Sequence, residues 1–463
     1  MQAVTLSIAA IFSLMVLLLR PARALALYFA VLLAYPTFLV VQVGTLDIGA
    51  ARIVGGVLLM RCLFDSRLLG KIKWCALDTW VLIAMAVAVG VPVLAWKMPS
   101  MRVLENRGGF VMDTFLAYFV TRFCISDYRE LKTVARWVAP FLVVLALLGI
   151  VETLGGPQPF FALRRFCPWK SGGEAASAGD FATVRTNERL GYIRAVGPSG
   201  HPTLFGASFV MFLPLIWALR HERQPWRTWA YAVAVLATIG ALSSMSSGPW
   251  MMIVMLWGCL ILERFKYVAK PLVWFAIGSC IAVDIISNRS FYHVLASYAN
   301  PVGGTGWHRA RLIDLAIENF NQWWFLGCGG TDPGWGARLG MTWTDITSHY
   351  ITAGVLYGIG GIIALLGLLG TALILLVRAG RRSRDPVFRS WCWAVGSIFV
   401  VLGVAFVAST FFDQSRTFFY GLLGMAGSMA QGQRTLEQAA KAQARRARVR
   451  RATPRREYVA APA

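Results

Sequence analysis

The sequence predicts an all-α polytopic membrane protein, with 12–13 transmembrane helices and two long loops at one membrane face. Three observations predict it. Of 463 residues, 57% are hydrophobic and only 14% charged, where a soluble chain carries about a quarter charged residues. Thirteen apolar runs succeed one another almost to the C-terminus, most of them near the ~20 residues that cross a bilayer. Lys and Arg gather in alternate gaps between these runs, the bias expected of one membrane face.

The runs predict helices over 2–19, 24–43, 49–64, 78–96, 109–125, 134–154, 204–219, 228–244, 248–262, 270–287, 350–377, 389–409 and 416–431. The first has no positively charged leader, so it reads as a retained helix. The basic gaps carry Arg20 and Arg23; Arg67, Lys71 and Lys73; Arg129, Lys132 and Arg136; Arg220, Arg223 and Arg227; Arg264, Lys266 and Lys270; and Arg378, Arg381, Arg382 and Arg384. Regular alternation puts all six on the cytoplasmic side, together with the C-terminus. The formal charge of +23 therefore reads as topology, and no nucleic-acid partner is expected.

The expected organisation is a transmembrane domain over 1–431 and a basic tail over 432–463. That tail is a candidate for an amphipathic helix on anionic lipids or for an orienting disordered segment. Two segments interrupt the pattern on the outer side, 155–203 and 288–349. Within the second, Leu312, Leu315, Ala316 and Phe320 recur at helical spacing, and the stretch from Arg309 to Trp324 is expected as a helix on the membrane surface. Of eight Cys, Cys167 and Cys328 fall in these loops and could pair.

The loops hold the candidate chemistry. Arg164, Arg165, Arg185, Arg189 and Arg194 lie in the first, and Arg309, Arg311 and Arg338 in the second. Guanidinium groups grip phosphate oxygens bidentately; the alternative is pairing with Glu174, Asp180, Glu188 or lipid phosphate. Four of five His (His201, His293, His308, His349) fall at the same face, and His exchanges protons near neutrality. Arg52, Asp113, Glu152 and Asp284 stand inside apolar runs, where charge is costly and seeks a cavity or a partner. Trp169, Trp307 and Trp335 could stack on sugars. There is no P-loop, dinucleotide fingerprint or zinc motif, and no Asp-x-Asp pair. No metal and no cofactor is expected, and group transfer would need a donor activated in itself.

Three stretches resemble the O-antigen ligase/polymerase family of bacterial membrane glycosyltransferases. Arg194-Ala-Val-Gly-Pro-Ser-Gly-His201-Pro-Thr-Leu-Phe-Gly206 resembles its Arg/Gly/Pro signature before a helix. Trp307-His308-Arg309-Ala-Arg311-Leu-Ile-Asp314, with Trp323-Trp324-Phe-Leu-Gly327-Cys-Gly329, resembles its Arg-led amphipathic helix ending in Gly-x-Gly. Asp345-Ile-Thr347-Ser348-His349-Tyr350, with Gly354, Gly358 and Gly361, resembles its loop motif entering a Gly-rich helix. The likeness covers roughly residues 100–430.

The resemblance implies a GT-C-like fold at the bacterial inner membrane, with a periplasmic active site. It implies metal-independent, inverting polymerisation or transfer of an undecaprenyl-diphosphate-linked oligosaccharide in surface or exopolysaccharide biosynthesis. The acceptor would be a glycan, a lipid or another hydroxyl. Membrane lipids are expected partners, as are polysaccharide export or chain-length proteins. Arg194 and Arg309, with Arg311, become diphosphate binders. His349 or Asp345 becomes the base, and His201, His308 and Arg52 accessory groups. Ligases place His three residues before the Tyr; here that position is Thr347. The departure favours a polymerase over a lipopolysaccharide ligase. A transporter or flippase for lipid-linked sugar is the rival from another class.

Overall fold

A computed structural model describes residues 1–44, 46–70, 72–97, 100–163, 166, 188–298 and 306–452. Long helices account for nearly all of it: α1 (Gln2–Leu18), α2 (Pro21–Ala34), α3 (Ala50–Phe64), α4 (Ala76–Ala95), α5 (Ser100–Cys124), α6 (Tyr128–Thr153), α7 (Pro202–Ala218), α8 (Trp226–Ser243), α9 (Ser247–Leu262), α10 (Lys266–Ile286), α11 (Phe291–Tyr298), α12 (Gly306–Glu318), α13 (His349–Arg382), α14 (Pro386–Ala405) and α15 (Asp413–Ala452). Each of the thirteen expected spans overlaps one of them. Six (α4, α6, α7, α10, α13, α14) are long and apolar enough to cross a membrane, and α1, α2 and α9 are shorter apolar helices. The chain is an all-α, multi-pass membrane protein.

Helix α7 is the hub. It packs against α6, α8, α9, α14 and α15, and nearly all its residues are buried. An apolar surface on every side is what a helix enclosed by other helices requires. By contrast, no residue of α10 is buried, so its apolar surface is left for lipid.

Hydrogen bonds between connecting segments show which ends meet. The segments after α2, α4, α6, α8 and α14, and before α7, α13 and α15, gather at one end: Thr37 N–H donates to Pro198 O, Lys97 N–H to Gly329 O, Ala195 N–H to Ser243 O and His349 N–H to Phe406 O. The basic gaps meet at the other end. There Glu222 takes Lys132 at 2.6 Å and Arg136 at 2.9 Å, and Arg220 reaches Glu263 at 2.5 Å. The two long loops thus share one end and the short basic gaps the opposite one, as the alternation predicts.

Near the basic end lies a pair not anticipated from sequence. Asp78 and Arg122 have wholly buried side chains and meet at 3.0 Å. Tyr118 Oη donates to Asp78 at 2.6 Å and Arg122 Nη2 to Lys73 O at 2.9 Å, while Arg122 Nη1 reaches Ser428 Oγ at 3.4 Å. These contacts tie α4 to α5 and α15.

Three departures from the expected helices shape the outer end. The helix expected over 24–43 ends at Ala34, because Pro36 forces Tyr35 into an extended conformation (φ −87°, ψ 128°). The valine-rich remainder forms strand β1 (Val40–Val43), paired antiparallel with β2 (Leu46–Gly49). Helix α5 begins nine residues before the expected 109, its charged first turns held by partners described below. Finally, α13 is broken at Gly358 (φ 69°, ψ −166°).

That break is built by two glycine approaches. The 324–328 segment crosses the helix there, with Ile359 N–H donating to Trp324 O and Cys328 N–H to Val355 O, both at 2.7 Å. A Cβ at Gly358 would lie 2.1 Å from Phe325 O, and one at Gly327 2.4 Å from Val355 O. Only glycine permits both the left-handed φ and the contact.

The tail remains helical to Ala452. Cys167, Trp169, Arg164, Arg165, Glu174, Asp180 and Arg185, and with them the expected Cys167–Cys328 pairing, lie outside the described residues.

Candidate functional site

The described residues before α7, 188–201, are held at several points. Strands β3 (Glu188–Arg189) and β4 (Tyr192–Ile193) form a hairpin. Its two-residue turn, Leu190-Gly191, has both φ positive (54° and 77°), as a tight hairpin needs. Beyond Arg194, Val196 and Gly197 donate their N–H groups to Glu152 Oε2 at 3.0 and 3.1 Å. Ser199 Oγ donates to Gln414 Oε1 at 3.3 Å. The buried Glu152 carboxylate is therefore a loop anchor. The Arg194 side chain that results is 5% exposed.

Arg309 comes from α12. This helix buries Leu312, Leu315 and Ala316 against Trp323, Trp335, Leu339, Ile351 and Val355. The expected surface helix thus exists, but its apolar face seats in the protein and not on lipid, because residues 335–355 offer a matching apolar wall. Trp335 is consumed in that core (2% exposed), while Trp307 stays exposed. His308, beside Arg309, donates from Nε2 to Asp345 O at 3.0 Å. That bond fixes the loop before α13 to α12.

Arg194 and Arg309 both lie within electrostatic reach of Arg189. The Arg194 guanidinium is lowered to about 10 by burial and by Arg189. Burial and Arg189 likewise lower Arg309, with Asp345 opposing them, and burial lowers Arg189. Among the described residues neither Arg194 nor Arg309 forms an ion pair, and the Nε of each is buried without a hydrogen-bond partner. Buried cations that feel a like charge raise their own free energy, and an anion placed beside them relieves it.

His201 adjoins the cluster. Burial, then Arg194 and Arg189, push it down to about 4, so it is neutral near pH 7. Its Nδ1 accepts the Thr203 N–H at 3.1 Å, capping α7. The ring proton must therefore sit on Nε2, and His201 offers the site a donor, not a base.

The other expected residues divide. Asp345 lies within electrostatic reach of Arg309. His349 lies by Arg416; its Nδ1 accepts the Phe411 N–H at 3.4 Å, and its ring packs on Phe406 with centroids 4.6 Å apart. Thr347, at the register where the resemblance places histidine, has its hydroxyl buried and unpartnered.

Arg311, unlike Arg309, has acidic partners on its own helix. It faces Glu318 at 3.1 Å and Asp314 at 3.5 Å, one helical turn or two along, where Asp314 also takes His293 at 3.0 Å. Its charge is answered locally, away from the cluster. Arg52 is similarly engaged. It donates to both oxygens of Asp113 at 2.8 and 2.7 Å and to Asp47 O at 2.6 Å, joining α3 to α5.

Two residues missed in the sequence link these groups. Asp413, at the start of α15 with φ 47°, stands beside the backbone of Gly200. It lies within electrostatic reach of Arg416, Asp113 and Arg52. Arg416, the second of them, had a faint signal as the residue that opens the last expected span. Asp413 had none, since its position depends on where α14 turns back.

Two cavities open here. A groove of about 2290 Å³ runs beside α3 and the first half of α5, with Arg52, Arg107 and Arg416 in its wall. A small cavity of about 70 Å³ lies behind it, lined by His349, Tyr357 and Arg416 among others. Among the described residues no three His, Cys, Asp or Glu side chains gather as metal ligands.

The chain matches no protein-family model and no curated protein.

Proposed function

We propose that the protein is a membrane glycosyltransferase of the polymerase or ligase type, with a GT-C-like helical fold, using a polyprenyl-diphosphate-linked glycan as donor. One observation carries this: Arg194 from one long loop and Arg309 from the other are both buried within electrostatic reach of Arg189, each with a buried Nε that has no hydrogen-bond partner and with no ion pair among the described residues. A diphosphate supplies the missing charge, and it is also the leaving group.

In this reaction an acceptor hydroxyl attacks the anomeric carbon of the donor from the face opposite the diphosphate. The new C–O bond forms as the bond to the diphosphate oxygen breaks, and that oxygen leaves with the electron pair. Preorganised guanidinium groups stabilise the charge as it grows. The hydroxyl proton passes to a base. Asp345 suits that role by its place beside Arg309, and His349 is the alternative at the Arg416 side. His201 Nε2–H offers the leaving group or a sugar oxygen a further donor. The two loops would face the periplasm and the basic gaps the cytoplasm, by the charge asymmetry of the two ends.

The test is to incubate purified protein with an undecaprenyl-diphosphate oligosaccharide and resolve the products by length. A ladder marks a polymerase, a single transfer to an added acceptor a ligase. Arg194→Ala and Arg309→Ala should each abolish product while the protein stays folded. Full activity in either variant, or movement of unchanged substrate across vesicles without new bonds, refutes the proposal.

A further inference from the structure

The groove beside α3 is separate from the cluster just described: Arg189, Arg194 and Arg309 do not line it. Its polar end holds two cations without an acidic partner in contact. Arg107 is 7% exposed, its guanidinium 4.4 Å from the Trp96 ring centre and 5.3 Å from that of Phe110. It donates to Tyr357 Oη at 2.8 Å and Ala88 O at 3.3 Å, but its Nε is buried with no partner. Arg416 stands over the same Phe110 ring, at 5.1 Å, and forms no ion pair or hydrogen bond among the described residues. The nearby Arg52 is already neutralised by Asp113. So one aromatic ring carries two guanidinium groups whose charge is not balanced in contact.

Below this head the wall turns largely apolar, until Arg61, Asp65 and Ser66 toward its far end. Ile53, Gly56, Val57 and Met60 line it, at the i, i+3, i+4, i+7 spacing of one helical face. The face continues to Phe64, which is 82% exposed. From residue 53 to 64 it spans roughly 17 Å at ~1.5 Å per residue, a large part of a ~30 Å hydrocarbon layer. A cationic head above a single long apolar stripe fits an amphiphile with a phosphate-rich head and one long chain.

We infer that the groove seats a second polyprenyl-diphosphate-linked glycan, its diphosphate on Arg107 and Arg416 and its chain along α3, as the acceptor for transfer at the Arg189–Arg194–Arg309 site. This rests on the glycosyl-transfer reading and deepens it, since a polymerase must hold two lipid-linked chains at once. Asp413 stands beside Gly200 and within electrostatic reach of Arg416.

Native mass spectrometry of the detergent-purified full chain with undecaprenyl diphosphate tests it. Wild type should saturate at two lipids. Arg194→Ala should retain one, and so should Arg107→Gln/Arg416→Gln. Gly56→Phe guards against misfolding in the arginine variants: Gly56 lines the groove and a Cβ there meets nothing within 4 Å, so a larger side chain at this position should take up groove space, and it too should retain one. Saturation of wild type at a single lipid overturns the inference, as do two lipids on Gly56→Phe, or displacement of the second copy by an equal concentration of phosphatidylglycerol. If Arg194→Ala loses activity while Gly56→Phe changes neither binding nor products, the groove assignment fails and the glycosyl-transfer reading stands.

Discussion

Arg194→Lys separates charge from geometry at the anion site. The wild-type guanidinium, lowered to about 10, stays protonated throughout the physiological range. The same burial and the same Arg189 neighbour would act on an amine whose ordinary pKa is ~10.4, bringing it to about 8. The variant should then bind undecaprenyl diphosphate roughly tenfold more weakly at pH 7, because a point charge replaces a bidentate fork. Between about pH 8 and 10 its affinity should fall by up to another tenfold per pH unit, as each binding event must first restore the proton. Stability should move the other way. Over that window the unfolded amine binds more protons than the folded one, so unliganded variant becomes more stable as pH rises. The full effect is about 3 kcal/mol, for a depression of about 2.5 units at ~1.36 kcal/mol each. Titrating the lipid by microscale thermophoresis from pH 6.5 to 9.5, with thermal melts of the unliganded protein alongside, reads both. A variant whose affinity stays flat to pH 9.5, or whose melting temperature falls from pH 8 to 9.5 relative to wild type, refutes the claim that Arg194 is a buried cation crowded by Arg189.

Other consequences follow from the same geometry. Gly358→Ala should lower the unfolding free energy by at least ~2 kcal/mol, from the positive φ alone, and more from the Phe325 contact; an unchanged thermal melt would contradict the crossing at the α13 break. Asp78→Asn should cost about 3–5 kcal/mol by stranding the buried Arg122 charge, and adding Arg122→Met should recover part of that, both read by melts in one detergent. His201, neutral down to about 4, binds fewer protons folded than unfolded between that value and its ordinary ~6.5. Its contribution to stability should therefore be complete above about pH 6.5 and decline toward pH 4. Removing it with His201→Asn, which keeps a short acceptor to cap α7, should flatten the melting temperature across that window, whereas an unaltered slope would assign the acid sensitivity to another group.

Much of the architecture was legible in the chain. Apolar runs and basic gaps located every long helix of the bundle and sorted the connections into two ends, because hydrocarbon tolerates little else than closed helices and charge marks the aqueous faces. Pro36 is the signal that shortens the second helix, and the charged turns of residues 101–107 fall outside the expected spans because the partners that hold Arg107 come from distant segments. The arginines of the candidate site were partly legible: Arg194 and Arg309 stood out as cations in long loops.

Which arginines remain without an acidic partner was not legible. Arg309 and Arg311 are two residues apart and chemically alike, yet one turns to Arg189 and the other to Glu318 and Asp314. Arg52 and Arg107 both begin as charges near apolar runs, yet one meets Asp113 and the other an aromatic cage. Sequence alone determined that cations and helices would be present and at which end. Tertiary structure decided which cations are neutralised, because the free energy of a charge in a low-dielectric setting depends on the few ångströms around it, and those neighbours come from helices distant in the chain.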